Sequence, residues 1–175
     1  MMLSSRALAI IIATTVFVLD RITKMWIEAK VSPYDTIEVI PGIFNIVHTR
    51  NRGAAFGMLS TASEPVRLIV LIGMAGVILG LICWMLWKAT KLGAPGSALN
   101  RLSLSLVLGG AIGNLYDRIL AGGVTDFLQV FLGSYEWPSF NVADSAICVG
   151  AVLMAVDLLT SSRKQSQTNH APETH

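Results

Sequence analysis

Charged residues are scarce in this sequence. They make up 14% of its 175 residues, whereas soluble domains average about 25%. Hydrophobic residues make up 53%, which is far too many for a disordered chain. Such a chain has too little charge to cover a globular surface. The composition therefore predicts a single integral membrane domain over residues 1–175.

Cysteine and clustered basic residues are also scarce. The two cysteines, Cys83 and Cys148, lie in separate apolar runs and form no CxxC spacing, which argues against a disulfide framework or a zinc site. No basic run exceeds the pair Arg163–Lys164, so no nucleic-acid partner is expected. The sequence predicts neither a metal site nor a cofactor.

Four stretches supply the roughly 20 apolar residues that cross a bilayer core of about 30 Å. They are residues 7–27, 66–87, 101–119 and 140–160. The predicted fold class is therefore a mainly α membrane protein with four transmembrane helices. Four spans place both termini on the same side of the membrane.

The connecting segments differ from one another. Residues 30–65 contain two β-type runs on either side of Pro41-Gly42, which predicts a small extramembrane β element. Residues 120–139 mix glycines with aromatic residues, which is typical of an interfacial loop or helix. We expect the two segments to flank a site from two directions. Residues 88–100 are predicted as a short loop and residues 161–175 as a disordered tail.

Lysine and arginine divide almost evenly between the two sides, so their number alone does not orient the chain. The basic segment Lys88–Arg101 and the pair Arg163–Lys164 lie on the side of the termini, and nine of the eleven acidic residues lie on the other. This distribution favours cytoplasmic termini. The β element and the 120–139 segment are then expected on the outer side.

The polar residues within the spans lie at one depth. At about 1.5 Å per residue, Asp20, Asn114, Asp117 and Asp144 each fall near the outer end of their helix. Asp126 lies in the outer connection. Ionisable residues within a membrane are costly and usually functional, which indicates a site at the outer edge. The structural alternatives are an ion pair between Asp20 and Lys24, interhelical hydrogen bonds from Asn114 and Asn141, and a span terminus at Asp117-Arg118.

Asp126 and Asp144 are the strongest catalytic candidates. Hydrolysis of an amide needs a base to activate water and an acid to protonate the leaving nitrogen, and two carboxyls that share one proton provide both. They share it because two like charges at close range do not both ionise cheaply. The sequence does not establish that the two side chains meet.

Five short motifs around these residues resemble those of a known family, lipoprotein signal peptidase or signal peptidase II. In order they are Asp20-x-x-Thr23-Lys24, Asn51-x-Gly53-Ala54-Ala55-Phe56, Gly113-Asn114-x-x-Asp117-Arg118, Val124-x-Asp126-Phe127 and Phe140-Asn141-x-Ala143-Asp144-Ser145. Arg21 departs from the family, in which glutamine is frequent at this position. The resemblance covers the chain from about Asp20 to Ser145.

The resemblance implies an aspartic endopeptidase of the bacterial inner membrane, with its active site at the periplasmic face. It would remove the signal peptide of prolipoproteins that carry a diacylglyceryl cysteine, as a monomer surrounded by membrane lipids. Asp126 and Asp144 would be the catalytic dyad. The residues that would support the dyad or bind substrate are Asn51, Gly53, Asn114, Arg118 and Asn141, and those of the polar scaffold are Asp20, Lys24 and Asp117.

Two other classes compete with this interpretation. A small transporter or channel with four spans also buries acidic residues, but its coupling site is expected near the membrane midplane. A non-catalytic assembly or anchor protein would leave the intramembrane Asp144 without a role. A cleavage assay on lipidated and unlipidated precursor peptides distinguishes these classes.

Overall fold

Long helices alternate with strands along the chain. The structure, a computed structural model, describes residues 4–53, 63–91 and 97–168. Its helices are α1 (Ser5–Lys30), α2 (Glu64–Ala89), α3 (Ala98–Ala121) and α4 (Val142–Thr168). Its strands are β1 (Thr36–Ile40), β2 (Phe44–Asn51), β3 (Val124–Leu132) and β4 (Tyr135–Phe140). The predicted combination of long helices with a small β element is confirmed, and the β element is part of an antiparallel sheet.

One face of α1 changes from apolar to charged along its length. Its buried residues recur every three or four positions and therefore share one side of the helix. They are Ala9, Ala13, Val16, Asp20, Lys24 and Ile27. Because Asp20 and Lys24 continue the apolar stripe, their charges point into the protein instead of away from it.

Helix α3 is the central helix and contacts the other three. Glycines allow this close approach: a methyl group at Gly110 would lie 2.4 Å from the backbone oxygen of Ala143 in α4, and one at Gly109 would lie 2.5 Å from that of Ala13 in α1. Small residues at helix interfaces are typical of membrane proteins, because lipid supplies no hydrophobic force that drives helices together. The packing brings the polar ends of α1, α3 and α4 into contact.

Two of the helices are long and apolar enough to cross a membrane, among the residues that the structure describes. They are α2 and the Val142–Ser161 part of α4. Helix α2 buries only Leu71, Ile82 and Leu86, so most of its apolar side chains face outward. The composition of α2 and its outward-facing side chains suit a lipid environment.

The four strands form one antiparallel sheet in the order β1-β2-β3-β4. Turns with glycine at positive φ, Gly42 and Gly133, connect β1 to β2 and β3 to β4. The connection between β2 and β3 instead contains α2 and α3. Phe127 of β3 packs with Ile27 and Val31 at the end of α1, which attaches the sheet to the helices.

The prediction of an interfacial loop or helix over residues 120–139 is wrong. Most of that segment forms β3 and β4, because it contains the β-prone residues Val124, Phe127 and Val130 and its first strand pairs with β2. The two segments expected to flank a site from two directions are therefore neighbours in one sheet, with Ile46 opposite Leu128.

The helices also extend beyond the predicted spans. Helix α1 runs from Ser5 to Lys30 instead of 7–27, and α4 continues to Thr168. The first part of the predicted disordered tail is therefore helical, which the good helix formers Arg163, Lys164 and Gln165 explain. Residues 169–175 lie outside the described residues.

Replacing Gly110 with alanine is expected to destabilise the protein by about 1–3 kcal/mol, because the new methyl group overlaps the α4 backbone. The measurement is the thermal unfolding midpoint in detergent micelles. Gly76→Ala is the matched control, since nothing lies within 4 Å of a methyl group there. Equal midpoints for the two variants would contradict the close α3–α4 contact.

Candidate active site

Asn141 lies between the two candidate carboxylates and bonds to both. Its side-chain Nδ2 donates to Asp126 Oδ1 at 2.7 Å. Its Oδ1 accepts from the backbone N–H of Asp144 at 2.9 Å, and its own backbone N–H donates to Asp144 Oδ2 at 3.2 Å. The reciprocal pair is a capping box at the start of α4. One fully buried asparagine therefore begins the helix and fixes both carboxylates.

Asp126 is held by the sheet. Its strand β3 pairs with β2, from which Asn51 Nδ2 donates to Asp126 Oδ2 at 3.1 Å and Thr49 Oγ1 donates to the Asp126 backbone oxygen at 3.1 Å. Asn51 is itself oriented, because its Oδ1 accepts from the backbone N–H of Gly53 at 3.0 Å in a local turn. Both oxygens of the Asp126 carboxylate therefore accept a hydrogen bond from an asparagine.

Asp144 is held by the helices. Asn114 of α3 donates from Nδ2 to Asp144 Oδ1 at 2.7 Å. The Oδ1 of Asn114 accepts from Lys24 Nζ at 3.1 Å, which fixes the orientation of the amide. Lys24 and Asn141 both face this oxygen, the latter at 3.3 Å. Lys24 therefore fixes the orientation of the Asn114 amide, and the amide in turn directs its N–H at the Asp144 carboxylate.

A buried charged cluster lies behind the two carboxylates. The ammonium of Lys24 contacts Asp20 Oδ2 and Asp117 Oδ2, each at 2.7 Å, and the Lys24 and Asp20 side chains have no solvent exposure. The other oxygen of Asp20 accepts from the backbone N–H of Ala143 at 3.0 Å, at the N-terminus of α4. A negative charge is favourable at that end of a helix. Asp20 therefore attaches α4 to α1.

Arg118 lies close to the carboxylates without bonding to them. Its Nη1 donates to the backbone oxygen of Asn114, one turn back along α3, at 3.3 Å. The charges of Asp144, Asp126 and Asp117 all act on its guanidinium. Arg118 therefore places a positive charge near both candidate carboxylates.

The environment of Asp126 favours the protonated acid. Burial raises the pKa of its carboxyl to about 6, and the charge of Asp144 acts in the same direction. The hydrogen bonds from Asn51 and Asn141 oppose this rise, because they stabilise the ionised form. Asp144 is less buried than Asp126. The two carboxyls therefore differ in environment, as an acid and a base must.

The structure brings all ten predicted site residues into one region of the molecule, at the junction of α1, α3, α4 and the sheet. It also adds two contacts that the sequence did not predict. Thr125 Oγ1 donates to Glu28 at 2.6 Å beside Asp126, and Arg21 is paired with Asp117. No local pattern relates either pair, because the partners are 97 and 96 residues apart.

Comparison with known proteins gives a consistent result. The family model of Signal peptidase (SPase) II matches residues 12–160. A lipoprotein signal peptidase of Solibacter usitatus is 45% identical over 158 residues, which cover 90% of this chain and 94% of the relative. One of Pseudoalteromonas atlantica is 42% identical over 147 residues, which cover 84% of this chain and 86% of the relative.

Solved structures agree with these sequence matches. One, described as a bacterial membrane enzyme determined by the in meso method at 2.3 Å resolution, superimposes with a TM-score of 0.77 and 30% identity, covering 95% of this chain and 93% of that one. A second, at 1.9 Å resolution, gives a TM-score of 0.74 and 32% identity, covering 86% and 92%. The chain therefore belongs to the signal peptidase II family, aspartic peptidases that process lipoproteins.

Proposed function

We propose that Asp126 and Asp144 are the catalytic dyad of this peptidase. The observation that carries the proposal is the bridge through Asn141, whose side-chain Nδ2 donates to the Asp126 carboxylate and whose backbone N–H donates to the Asp144 carboxylate. Each carboxylate also accepts from a second asparagine, Asn51 or Asn114. Such restraint keeps the two groups in fixed positions for a reaction in which both exchange protons.

Asp126 holds the proton of the resting dyad, and Asp144 is the base. Burial and the neighbouring charge favour protonated Asp126, whereas the Asp144 carboxyl is less buried and therefore better placed to be the ionised partner. Asp144 takes a proton from a water molecule as the water oxygen attacks the scissile carbonyl carbon. Asp126 donates its proton to the carbonyl oxygen, which gives a tetrahedral diol. As the C–N bond breaks, the proton held by Asp144 passes to the departing nitrogen and one hydroxyl proton of the diol returns to Asp126, which restores the resting dyad.

The other site residues position the dyad or the substrate. Asp20, Lys24 and Asp117 form the charged scaffold that joins α1, α3 and α4. The guanidinium of Arg118, near both carboxylates, is the donor that we assign to a backbone carbonyl of the substrate. The backbone N–H of Gly53 orients Asn51 by donating to its side-chain oxygen.

The substrate is a prolipoprotein whose cysteine carries a diacylglyceryl group, cut on the amino-terminal side of that cysteine. The names of the relatives support a lipoprotein substrate. The acyl chains remain in lipid, where outward-facing apolar side chains of the helices allow them to lie against the protein. The transporter or channel interpretation is not favoured by the family matches.

All four helices cross the bacterial inner membrane. At about 1.5 Å per residue, the 26 residues of α1 and the 24 of α3 are long enough to span it. Helix α1 turns large apolar side chains outward, among them Leu8, Ile10, Leu19 and Ile22. Both termini lie in the cytoplasm and the sheet on the periplasmic side. The enzyme acts as a monomer, because one chain supplies the whole described site.

Replacing either dyad member with asparagine is expected to lower turnover by at least about 10²-fold, because asparagine cannot cycle a proton. The double variant should be little worse than either single variant, since the two residues act as a unit. The measurement is cleavage of a lipidated precursor peptide in detergent, with the unlipidated peptide as a second substrate.

Asp157→Asn is the matched control. Asp157 lies in the same helix as Asp144, but 13 residues further along it, where it accepts a hydrogen bond from Ser97 at the start of α3. Turnover of this variant should stay within about twofold of the wild type, since its charge lies far from the dyad. Cleavage at near wild-type rate by folded Asp126→Asn or Asp144→Asn would assign the chemistry to other residues.

The pH dependence of kcat/KM should show a fall as the pH rises through about 6, where Asp126 loses the proton that it donates. Removing the Asn51 amide should move this fall about 0.5–1 pH unit upward, because that hydrogen bond stabilises the ionised carboxylate and lowers the pKa of Asp126. The measurement is the pH profile of Asn51→Ala.

Asn45→Ala is the control for this profile, since Asn45 also lies in β2 but donates to Gln129 at 3.1 Å instead of to Asp126. Its profile should coincide with that of the wild type. A profile of Asn51→Ala that also coincides with the wild type would exclude Asp126 as the titrating acid.

A reporter enzyme that is active only in the periplasm should be active when fused after Ser134, in the turn between β3 and β4. Fused after Lys91, at the end of α2, it should be silent. The proposed topology places these two points on opposite sides of the membrane. The reverse pattern would put the dyad at the cytoplasmic face and overturn the proposed location.

A further inference from the structure

The strand end that carries Asn51 is paired on one side. Strand β1 pairs with β2 as far as Val47, and beyond that residue β3 is the only strand that pairs with β2 in the part of the chain that the structure describes. Asn51 is the last residue of β2 and lies opposite Val124, the first residue of β3. Backbone pairing at such an end opens more easily than in the middle of a sheet. The hydrogen bond from Asn51 to Asp126 therefore depends on what holds this strand end in place.

Arg50 attaches the strand end to α3. Its Nη2 donates to the backbone oxygen of Ala121, the last residue of α3. The last four carbonyls of a helix have no partner within the helix and carry the negative end of its dipole, so a guanidinium is a favourable donor there. Because Arg50 directly precedes Asn51, this bond joins the sheet side of the site to the helix that carries Asn114.

The turn after α3 allows the strand end to approach closely. Helix α3 ends at Gly122 in the left-handed conformation, and a methyl group at Gly123 would lie 3.1 Å from the backbone oxygen of Asn51. The same methyl group would lie 3.4 Å from Arg50 Nε and 3.4 Å from Arg52 Cγ. The strand end and both arginine side chains therefore pack against a backbone turn that carries no side chain.

We propose that Arg50 is a positioning residue for the reaction: its bond to the end of α3 holds Asn51 where the amide donates to Asp126. The inference rests on the proposed role of Asp126 as the acid of the dyad. Within the described residues, Arg50 bonds to neither carboxylate of the dyad, so it acts through Asn51. The charged groups that act on Asp126 from the surrounding elements are Lys24 of α1, Arg118 of α3 and Asp144 of α4.

The test uses Arg50→Met, which keeps a long side chain and removes its charge and its donors. The measurements are kcat, KM and the pH profile of kcat/KM for a lipidated precursor peptide. A loosened Asn51 amide stabilises ionised Asp126 less, so the fall near pH 6 should move upward by about 0.3–0.5 pH unit, a part of the effect of Asn51→Ala. On the acid side of that fall, kcat should drop by about threefold with KM within about twofold, because the acid is less well positioned.

Arg52→Met is the matched control. Arg52 also flanks Asn51, carries the same charge and packs against Gly123, but in the part of the chain that the structure describes its guanidinium has no hydrogen bond to α3. Its kcat and pH profile should match those of the wild type. An equal shift in Arg52→Met would show that any positive charge beside Asn51 has this effect, and would overturn the role of the contact with Ala121.

A double-mutant cycle tests the route through Asn51. In the Asn51→Ala background, Arg50→Met should add less than about 0.1 pH unit and should lower kcat no further, because the amide that Arg50 positions is absent. A shift of the single-variant size in that background would assign the effect to the charge of Arg50 acting through space, and would overturn the inference. If Arg50→Met does not accumulate, Arg50→Gln takes its place in the same cycle, with the same expected shift.

The outcomes distinguish this inference from the proposed dyad. A profile of Arg50→Met that coincides with the wild type, beside a shifted Asn51→Ala profile, would show that Arg50 only fastens the strand to α3, whatever the unfolding midpoint of the variant. That result would overturn the role of Arg50 alone. Unshifted profiles in both variants would overturn Asp126 as the titrating acid, and the inference with it.

Discussion

The ammonium group of Lys24 has no access to solvent, so protein groups must replace its water. Asp20 from the same helix, with Asp117 and Asn114 from α3, provide that replacement. Only a few placements of α1 against α3 bring Asp117 and Asn114 into contact with the Lys24 ammonium. The need for these contacts therefore fixes the register between the two helices. Asp20 extends the constraint to α4 through the backbone of Ala143.

Asparagine amides separate this charged scaffold from the proposed dyad. A direct ion pair with Lys24 would hold a carboxyl in its ionised form and prevent it from cycling a proton. Asn114 instead presents its oxygen to Lys24 and its nitrogen to Asp144, and Asn141 presents its nitrogen to Asp126. The amides transmit orientation from the cation without placing its charge against the reacting groups.

The apolar runs in the sequence predicted the helices. The positions of the polar residues along these runs predicted that they gather near the same end of the helix bundle. The strands over 124–140 were missed, because Val124, Phe127 and Trp137 suit a membrane interface as well as a sheet, and only pairing with the distant β2 distinguishes them. The role of Asn141 was readable in part, since asparagine followed three residues later by aspartate is typical of a capping box. The contact of Arg21 with Asp117 depends on helix packing and has no local signal.

The two halves of the sheet are separated in the chain by a pair of helices, and Asn51 and Asp126 are 75 residues apart. Contacts between such distant residues form late in folding, because closing the intervening loop costs entropy before the contacts compensate for it. Strand β2 cannot pair with β3 until the intervening α2 and α3 have been synthesised and β3 has followed them. A partly synthesised chain therefore lacks the Asn51–Asp126 contact, and the proposed site is completed only after β3 has been made.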